Sequence, residues 1–110
     1  MTPDDIRLDG KVAFITGGAG GLGAGIAENL ANFGARVTIA DIDVQAGERL
    51  VASIRENGGD ALFVPTDVNQ TEQIVTAVEC AAEHFGRLDI LVNNAGGVRR
   101  TPFLEQTEKS

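Results

Sequence analysis

The sequence has 110 residues, of which 43% are hydrophobic and 23% charged, proportions that suit one globular domain. Its formal net charge of −7 should repel nucleic acid and anionic membranes, so we expect neither as a partner. No apolar run approaches the roughly 20 residues of a membrane span, and the single cysteine, Cys80, excludes an internal disulfide. The composition therefore predicts a cytoplasmic protein.

The chain alternates between short apolar runs and helical patterns. The runs cover residues 12–15, 37–40, 61–64 and 90–92, and none of them alternates cleanly with polar residues. Continuous apolar runs of this length are typical of strands that are buried on both faces, as in a parallel sheet. Strands separated by helices predict an α/β fold, a Rossmann-type doubly wound sheet whose usual layout gives the strand order 3-2-1-4.

Apolar residues at steps of three and four predict a helix after each of the first three runs. In the first helix the predicted core stripe consists of Leu22, Ile26, Leu30 and Phe33, and the helix stops at Gly34. The second helix begins at Val44 with Asp43 as its predicted N-cap, and it ends at the Asn-Gly-Gly sequence of residues 57–59.

The third helical pattern contains the residue types that could suggest a metal or redox site. It starts near Thr71, with Asn69 offering a capped first turn, and it closes at Gly86. Cys80 is adjacent to the apolar face, and we expect it to be a packed small side chain. His84 is the only histidine, and a lone histidine lacks the partners that a metal or catalytic site needs. We therefore expect no metal site.

Five glycines lie between Gly17 and Gly23, where the first strand should pass into the first helix. Glycines there let the chain turn sharply and let the backbone approach a pyrophosphate, which the free N–H groups of the helix attract. The register of the loop is open. Gly18, Gly20 and Gly23 fit the pattern G-x-G-x-x-G, while Gly17, Gly21 and Gly23 fit G-x-x-x-G-x-G. No Gly-Lys-Ser/Thr follows, so the loop is not a Walker A motif.

Acidic residues follow the second and third apolar runs. Asp41 lies about twenty residues beyond the glycine loop, where an acidic side chain typically accepts hydrogen bonds from the adenosine ribose hydroxyls. A carboxylate there would also repel a 2′-phosphate, which predicts NAD rather than NADP. The alternative for Asp41 is a turn or helix-capping role, and the alternative for Asp67 is to cap the helix that starts near Thr71. The ligand crevice of such sheets lies at the carboxyl ends of the strands, which favours binding.

Two motifs, one after the first run and one after the fourth, point to a known family. The first is Thr16-Gly17-x-x-x-Gly21-x-Gly23 and the second is Asn93-Asn94-Ala95-Gly96. Together with Asp41 and with Asp67-Val68, they resemble the motifs of the short-chain dehydrogenase/reductase family over nearly the whole chain. The resemblance implies the cofactor-binding half of an NAD-dependent oxidoreductase.

The resemblance also implies which residues contact the cofactor. The pyrophosphate would be lined by Gly17, Gly21, Leu22 and Gly23, with Gly18 included through the alternative register of the loop. The adenosine ribose would be held by Asp41 and Ile42, and the adenine edge would be bound by Asp67 and Val68. The nicotinamide-side ribose would lie along Asn94, Ala95 and Gly96, while Asn93 would brace the central strands.

The catalytic part of the family pattern is missing from this sequence. The family resemblance implies a catalytic Tyr assisted by a Lys, with a Ser that orients the substrate carbonyl, but the sequence contains no Tyr. We therefore expect no catalytic residue within residues 1–110. We interpret them as the NAD-binding Rossmann portion of a longer, truncated domain that acts on an alcohol or ketone as a homotetramer or dimer.

Two other functions remain as alternatives at this point. One is a stand-alone dinucleotide-binding module without catalysis. The other is a Rossmann-like methyltransferase, which also uses a glycine loop and acidic residues after its second and third strands. The asparagine motif at residues 93–96 argues against the methyltransferase.

Overall fold

The computed structural model describes residues 7–94, and these form an alternating series of strands and helices. The elements are β1 (Val12–Thr16), α1 (Gly21–Asn32), β2 (Arg36–Asp41), α2 (Val44–Glu56), β3 (Asp60–Pro65), α3 (Thr71–Phe85) and β4 (Ile90–Asn93). All neighbouring strands pair in parallel, in the order β3-β2-β1-β4. The predicted Rossmann-type α/β fold with strand order 3-2-1-4 is confirmed.

The central strand β1 explains why the apolar runs do not alternate. All five of its residues are buried, because helices cover both faces of the sheet. Ile15 packs in a cluster with α1 and α2, whereas its neighbour Phe14 packs on the other face with Ala77 and Ala81 of α3. Both faces of this strand therefore need apolar side chains.

The predicted core stripe of α1 is wrong at its first residue. Leu22 is 74% exposed, and the buried residues of the helix are Gly23 and Ala27. The reason is close packing, since two small residues four apart let the helix backbone approach the sheet. Ile26 and Leu30 pack at the margin of the same core cluster.

The helix ends test the other local predictions. Asp43 caps α2, because its side chain accepts a hydrogen bond from the Ala46 N–H at 3.1 Å. Asn69 does not cap α3, whose N-cap residue is Gln70 without a side-chain cap bond. The carboxylate of Asp67 instead accepts the backbone N–H of Asn69 at 3.0 Å. Gly86 ends α3 with a φ of 84°, as predicted.

Cys80 is exposed, so the prediction that it is a packed small side chain is wrong. The buried face of α3 is formed by Ala77 and Ala81, and Cys80, the residue before Ala81, lies about 100° from it around the helix. No helix within residues 7–94 combines the length and the apolar character that a membrane crossing needs.

At the amino end of the sheet, Asp89 ties β4 to β1. Its carboxylate accepts the Val12 N–H at 2.9 Å and is also paired with Arg87 at 2.7 Å. The Arg87 guanidinium, helped by the Val12 bond, holds the pKa of the Asp89 carboxyl below its usual value. This pair is therefore part of the framework and lies away from the glycine loop.

Candidate functional site

The glycine loop connects the end of β1 to the start of α1 at the carboxyl edge of the sheet. Gly17 and Gly21 have φ angles of 66° and 55°, in the left-handed region that favours glycine. The Gly17 N–H donates to the Ala40 carbonyl of β2 at 2.7 Å, so the loop turns directly over the neighbouring strand.

Gly23 is required for a different reason, which is close approach. A Cβ atom there would meet the Gly17 carbonyl oxygen, and it would lie 2.8 Å from both the Gly18 Cα and the Asn94 Nδ2. By contrast, a Cβ at Gly20 or Gly21 would meet no atom within 4 Å. The structure therefore fits the G-x-x-x-G-x-G register. Positions 17 and 21 favour glycine because of their backbone conformation, and position 23 requires it because of close packing.

The amino end of α1 has no side-chain cap. Its N-cap residue is Gly20, the first turn contains no acidic residue, and the first backbone bond into the helix runs from the Ala24 N–H to the Gly20 carbonyl. The N–H groups of a helix's first turn have no partner inside the helix, and they carry the positive end of its dipole. The space in front of this turn can therefore accept an anion.

Asp41 ends β2 beside the loop, and both of its carboxylate oxygens accept backbone hydrogen bonds. Oδ2 accepts the Ala19 N–H at 3.1 Å, and Oδ1 accepts the Asp43 N–H at 2.9 Å. Ile42, the next residue, is 70% exposed at the same edge. An ionised carboxylate has about four acceptor positions, so acceptor capacity remains for hydroxyl groups of a ligand.

Asp67 and Val68 follow β3 at the same edge, and both are half-buried. The Asp67 N–H donates to the Gln73 Oε1 at 2.8 Å, and its carboxylate closes a short turn onto Asn69. The Thr66 N–H donates to the Asp41 carbonyl, which holds the end of β3 next to the end of β2. The sheet thus brings the two predicted acidic residues to one edge, although neither caps a helix.

The asparagines after β4 connect that strand to β1 and to the glycine loop. The Thr16 hydroxyl donates to the Asn93 Oδ1 at 3.0 Å, which confirms that Asn93 braces the central strands. The Asn94 N–H donates to the Thr16 Oγ1, and its side-chain Nδ2 donates to the Gly17 carbonyl at 3.1 Å. Ala95 and Gly96, the other predicted cofactor residues of this motif, lie outside the described residues.

Sequence reasoning missed the contact from Asn94 to the loop and the role of Thr16 in the network. A polar residue at the end of a buried apolar run was the available signal for Thr16. No local signal exists for the Asn94 contact, because it joins residues that are 77 positions apart.

A pocket of about 400 Å³ lies at the opposite end of the sheet. It is lined by the ends of α1 and α2 and by side chains of both charge signs, among them Arg7, Arg36, Asp9 and Asp60. None of the predicted cofactor residues within residues 7–94 lines this pocket. Helix carboxyl ends carry negative partial charge and disfavour phosphate, so we place the candidate site at the glycine loop instead. Within residues 7–94, no cluster of three or more His, Cys, Asp or Glu side chains could hold a metal ion.

A parallel sheet in the order β3-β2-β1-β4, with a glycine loop before α1 and acidic residues after β2 and β3, defines a Rossmann-type domain. A family model described as short chain dehydrogenase matches residues 11–110. The chain therefore belongs to the short-chain dehydrogenase family.

Curated and solved relatives agree with this assignment. The chain is 46% identical over 101 residues to a 2,5-dichloro-2,5-cyclohexadiene-1,4-diol dehydrogenase of Sphingobium indicum, covering 92% of this chain and 40% of the relative. The hydroxysteroid dehydrogenase structure from Escherichia coli has a TM-score of 0.81 at 39% identity, covering 93% of this chain and 43% of that one.

A 7α-hydroxysteroid dehydrogenase complexed with NADH and 7-oxo glycochenodeoxycholic acid has a TM-score of 0.82 at 39% identity, covering 94% of this chain and 40% of that one. The chain thus spans about two fifths of the length of each of these relatives.

Proposed function

We propose that this chain forms the NAD-binding part of an oxidoreductase that transfers hydride between the nicotinamide and an alcohol or ketone. The observation that carries the proposal is the uncapped amino end of α1, which lies behind the glycine loop and beside the carboxylate of Asp41. A phosphate and a ribose that are joined in one ligand would meet these two features together.

The residues present fit such a ligand. The first-turn N–H groups of Gly21, Leu22 and Gly23 would hold the pyrophosphate. The backbone is accessible there, because a Cβ atom at Gly20 or Gly21 would meet no atom within 4 Å. Gly17 and Gly18 shape the turn that precedes them. No Lys or Arg is needed, which explains how a chain with a net charge of −7 can bind an anionic cofactor.

The choice of NAD over NADP depends on Asp41 and Ile42. A carboxylate that accepts ribose hydroxyls contributes about 1.5–3 kcal/mol per charged hydrogen bond, and the same charge repels a 2′-phosphate. Position 42 is Ile rather than Arg or Lys, so nothing there offsets the repulsion. Because about 1.4 kcal/mol corresponds to a tenfold change in affinity, we expect at least tenfold discrimination.

The remaining predicted contacts extend the same edge. Asp67 and Val68 follow β3, whose last residue Pro65 pairs with Asp41, and they would bind the adenine. Asn94 is followed by Ala95 and Gly96, which would lie along the nicotinamide ribose. The nicotinamide supplies hydride acceptance or donation when it is bound. This chain's residues bind and orient the cofactor, and we assign none of them to catalysis.

The substrate class is inferred from relatives. Those named above are dehydrogenases of a diol and of hydroxysteroids, and one is complexed with NADH and an oxo compound. An alcohol and ketone pair is the chemistry that these names share. A cytoplasmic homotetramer or dimer is part of the proposal for the whole protein.

The second candidate function is a dinucleotide-binding module without catalysis, which would use the same glycine loop and the same Asp41 carboxylate. Turnover distinguishes the two candidates. The whole protein should oxidise NADH in the presence of a suitable ketone, whereas residues 1–110 alone should not. A whole protein that binds NAD but shows no turnover with a broad panel of alcohols and ketones would favour the module.

Calorimetric titration with NAD and NADP tests the cofactor assignment. The wild-type protein should bind NAD at least about tenfold more tightly. Asp41→Ala should weaken NAD binding and so reduce the difference between the affinities for NAD and NADP. Ile42→Arg should reduce the same difference by strengthening NADP binding. Equal affinities of the wild-type protein for the two cofactors would show that Asp41 does not discriminate between them.

A further inference from the structure

Asp41 is bonded to the glycine loop and does not merely lie beside it. Its Oδ2 accepts the Ala19 N–H at 3.1 Å, and its Oδ1 accepts the Asp43 N–H at 2.9 Å. One carboxylate at the end of β2 therefore joins the loop before α1 to the turn before α2. Both bonds use backbone donors, so they fix the path of the main chain.

The middle of the loop is hydrogen-bonded to this carboxylate. The Gly17 N–H bonds to the Ala40 carbonyl, and the Gly17 carbonyl accepts the Asn94 side chain, but both of these bonds hold the first residue of the loop. Two residues further on, the Ala19 side chain is buried in the core cluster and its N–H reaches Asp41. Within residues 7–94, this is the hydrogen bond that fixes the loop between its first residue and the start of the helix.

We propose that Asp41 is also a positioning residue for the pyrophosphate, because it holds the glycine loop in its phosphate-binding shape through the Ala19 N–H. This rests on the proposed function, since it takes the loop to be the pyrophosphate site of a dinucleotide. The two bonds to Ala19 and Asp43 leave acceptor positions on the carboxylate for ribose hydroxyls. Ribose recognition and loop geometry therefore depend on the same side chain.

A ligand without a ribose separates the two roles, because they predict opposite effects. If Asp41 contacts only the ribose, its removal takes a negative charge away from a nearby anion and should leave pyrophosphate binding unchanged or stronger. If Asp41 also holds the loop, its removal lets the loop N–H groups lose their alignment, and pyrophosphate binding should weaken.

The experiment titrates inorganic pyrophosphate into the whole protein and three variants. Asp41→Ala should weaken binding by about tenfold. Asp41→Asn removes the charge and keeps one side-chain oxygen, which can accept the Ala19 N–H or the Asp43 N–H but not both, so it should bind pyrophosphate more tightly than Asp41→Ala. Asp43→Ala is the matched control, since it removes a carboxylate two residues away whose side chain bonds to Ala46, not to the loop. This control should not weaken pyrophosphate binding.

Hydrogen exchange of the Ala19 amide gives a readout that needs no ligand. We expect exchange about tenfold faster in Asp41→Ala than in the wild type, an intermediate rate in Asp41→Asn, whose single oxygen serves either Ala19 or Asp43, and a rate close to the wild type in Asp43→Ala. If Asp41→Ala does not fold, Asp41→Leu replaces it, because leucine has a similar size and no acceptor.

The proposal is overturned if the variant without an acceptor binds pyrophosphate as tightly as the wild type, or if its Ala19 exchange is unchanged. Failure of the proposed function looks different. In that case the wild-type protein would bind neither NAD nor pyrophosphate, while the Ala19 amide would still respond to the loss of the Asp41 carboxylate.

Discussion

The amino ends of α1 and α2 occupy equivalent places in the fold and are built differently. Each helix follows a strand at the carboxyl edge of the same sheet. In α2 the Asp43 side chain accepts the Ala46 N–H, so this donor of the first turn is already hydrogen-bonded within the protein. In α1 the N-cap is Gly20 and no side chain takes that place.

This difference distinguishes a structural helix start from one prepared for a ligand. Compared with a glycine N-cap such as Gly20, a side-chain cap stabilises a protein by a few tenths of a kcal/mol, and α1 lacks that contribution. At the same place, Gly17 and Gly21 adopt positive φ angles, and Gly23 has no side chain that would prevent the close approach of the helix to the loop. The amino end of α1 therefore has free donors, open space and no competing carboxylate in its first turn, which together favour binding of a phosphate.

The largest effect is expected where α1 contacts the loop most closely. Gly23→Val would place side-chain carbon against the Gly17 carbonyl and the Gly18 Cα, and backbone atoms cannot move aside as a flexible side chain could. We expect a loss of about 3 kcal/mol in the free energy of unfolding, measured by urea denaturation. Gly25→Ala is the control, because its Cβ meets nothing within 4 Å and alanine should stabilise the helix. A Gly23→Val protein of wild-type stability would contradict the close approach.

The second prediction separates backbone strain from ligand contact at Gly21. Gly21→Val introduces a side chain at a φ of 55°, a strain of about 1–2 kcal/mol, and also fills the open space in front of the helix. We expect a folded protein whose NAD affinity is lowered by well over tenfold, measured by calorimetry. Gly86→Val has a comparable strain at a φ of 84°, but it lies at the end of α3, so it should leave NAD affinity unchanged. Equal losses in the two variants would mean that strain alone explains the effect.

The third prediction converts the start of α1 into one like that of α2. Gly20→Asp has room for its side chain and an ordinary extended backbone, so it can supply the missing cap. The gain in stability should be a few tenths of a kcal/mol. NAD affinity should fall by about tenfold, because the new carboxylate competes for the same N–H groups and repels the phosphate. If NAD binding is unaffected, the amino end of α1 is not the phosphate site.

The smallest effect is expected at α2, where the cap serves the fold alone. Asp43→Ala should lower the free energy of unfolding by about 1 kcal/mol through loss of the bond to the Ala46 N–H. Asp43→Ser should retain most of that stability, since serine is also a good cap. NAD affinity should change less than twofold in both variants, and a larger change would show that the two helix starts are coupled.

Local signals in the sequence were sufficient for most of the fold. The four apolar runs became the four strands, and the breaks at Gly34 and Gly86 fell at the ends of α1 and α3. These features depend on backbone conformation and on burial, which neighbouring residues largely determine. The prediction that Asp43 caps α2 succeeded for the same reason, since a cap bonds only two or three residues away.

Predictions about side-chain environment were less accurate. Leu22 was placed in the core stripe of α1 and is exposed, and Cys80 was expected to be packed and is also exposed. In each case a small residue next to it, Gly23 or Ala81, lies against the sheet instead. Periodicity alone does not show how closely a helix approaches the sheet, and that distance decides which of two neighbouring residues is buried.

The sequence by itself determined the order of elements, the place of the glycine loop, and the presence of acidic residues after β2 and β3. Only the tertiary structure decided which hydrogen bonds join these parts. The loop is fixed by Asp41 from β2 and by Asn94 after β4, residues that are 22 and 77 positions away from their partners in the chain. Parallel strands bring their carboxyl ends together whatever their separation in sequence. Contacts of that kind leave no periodic or local pattern, so they become visible only when the sheet has formed.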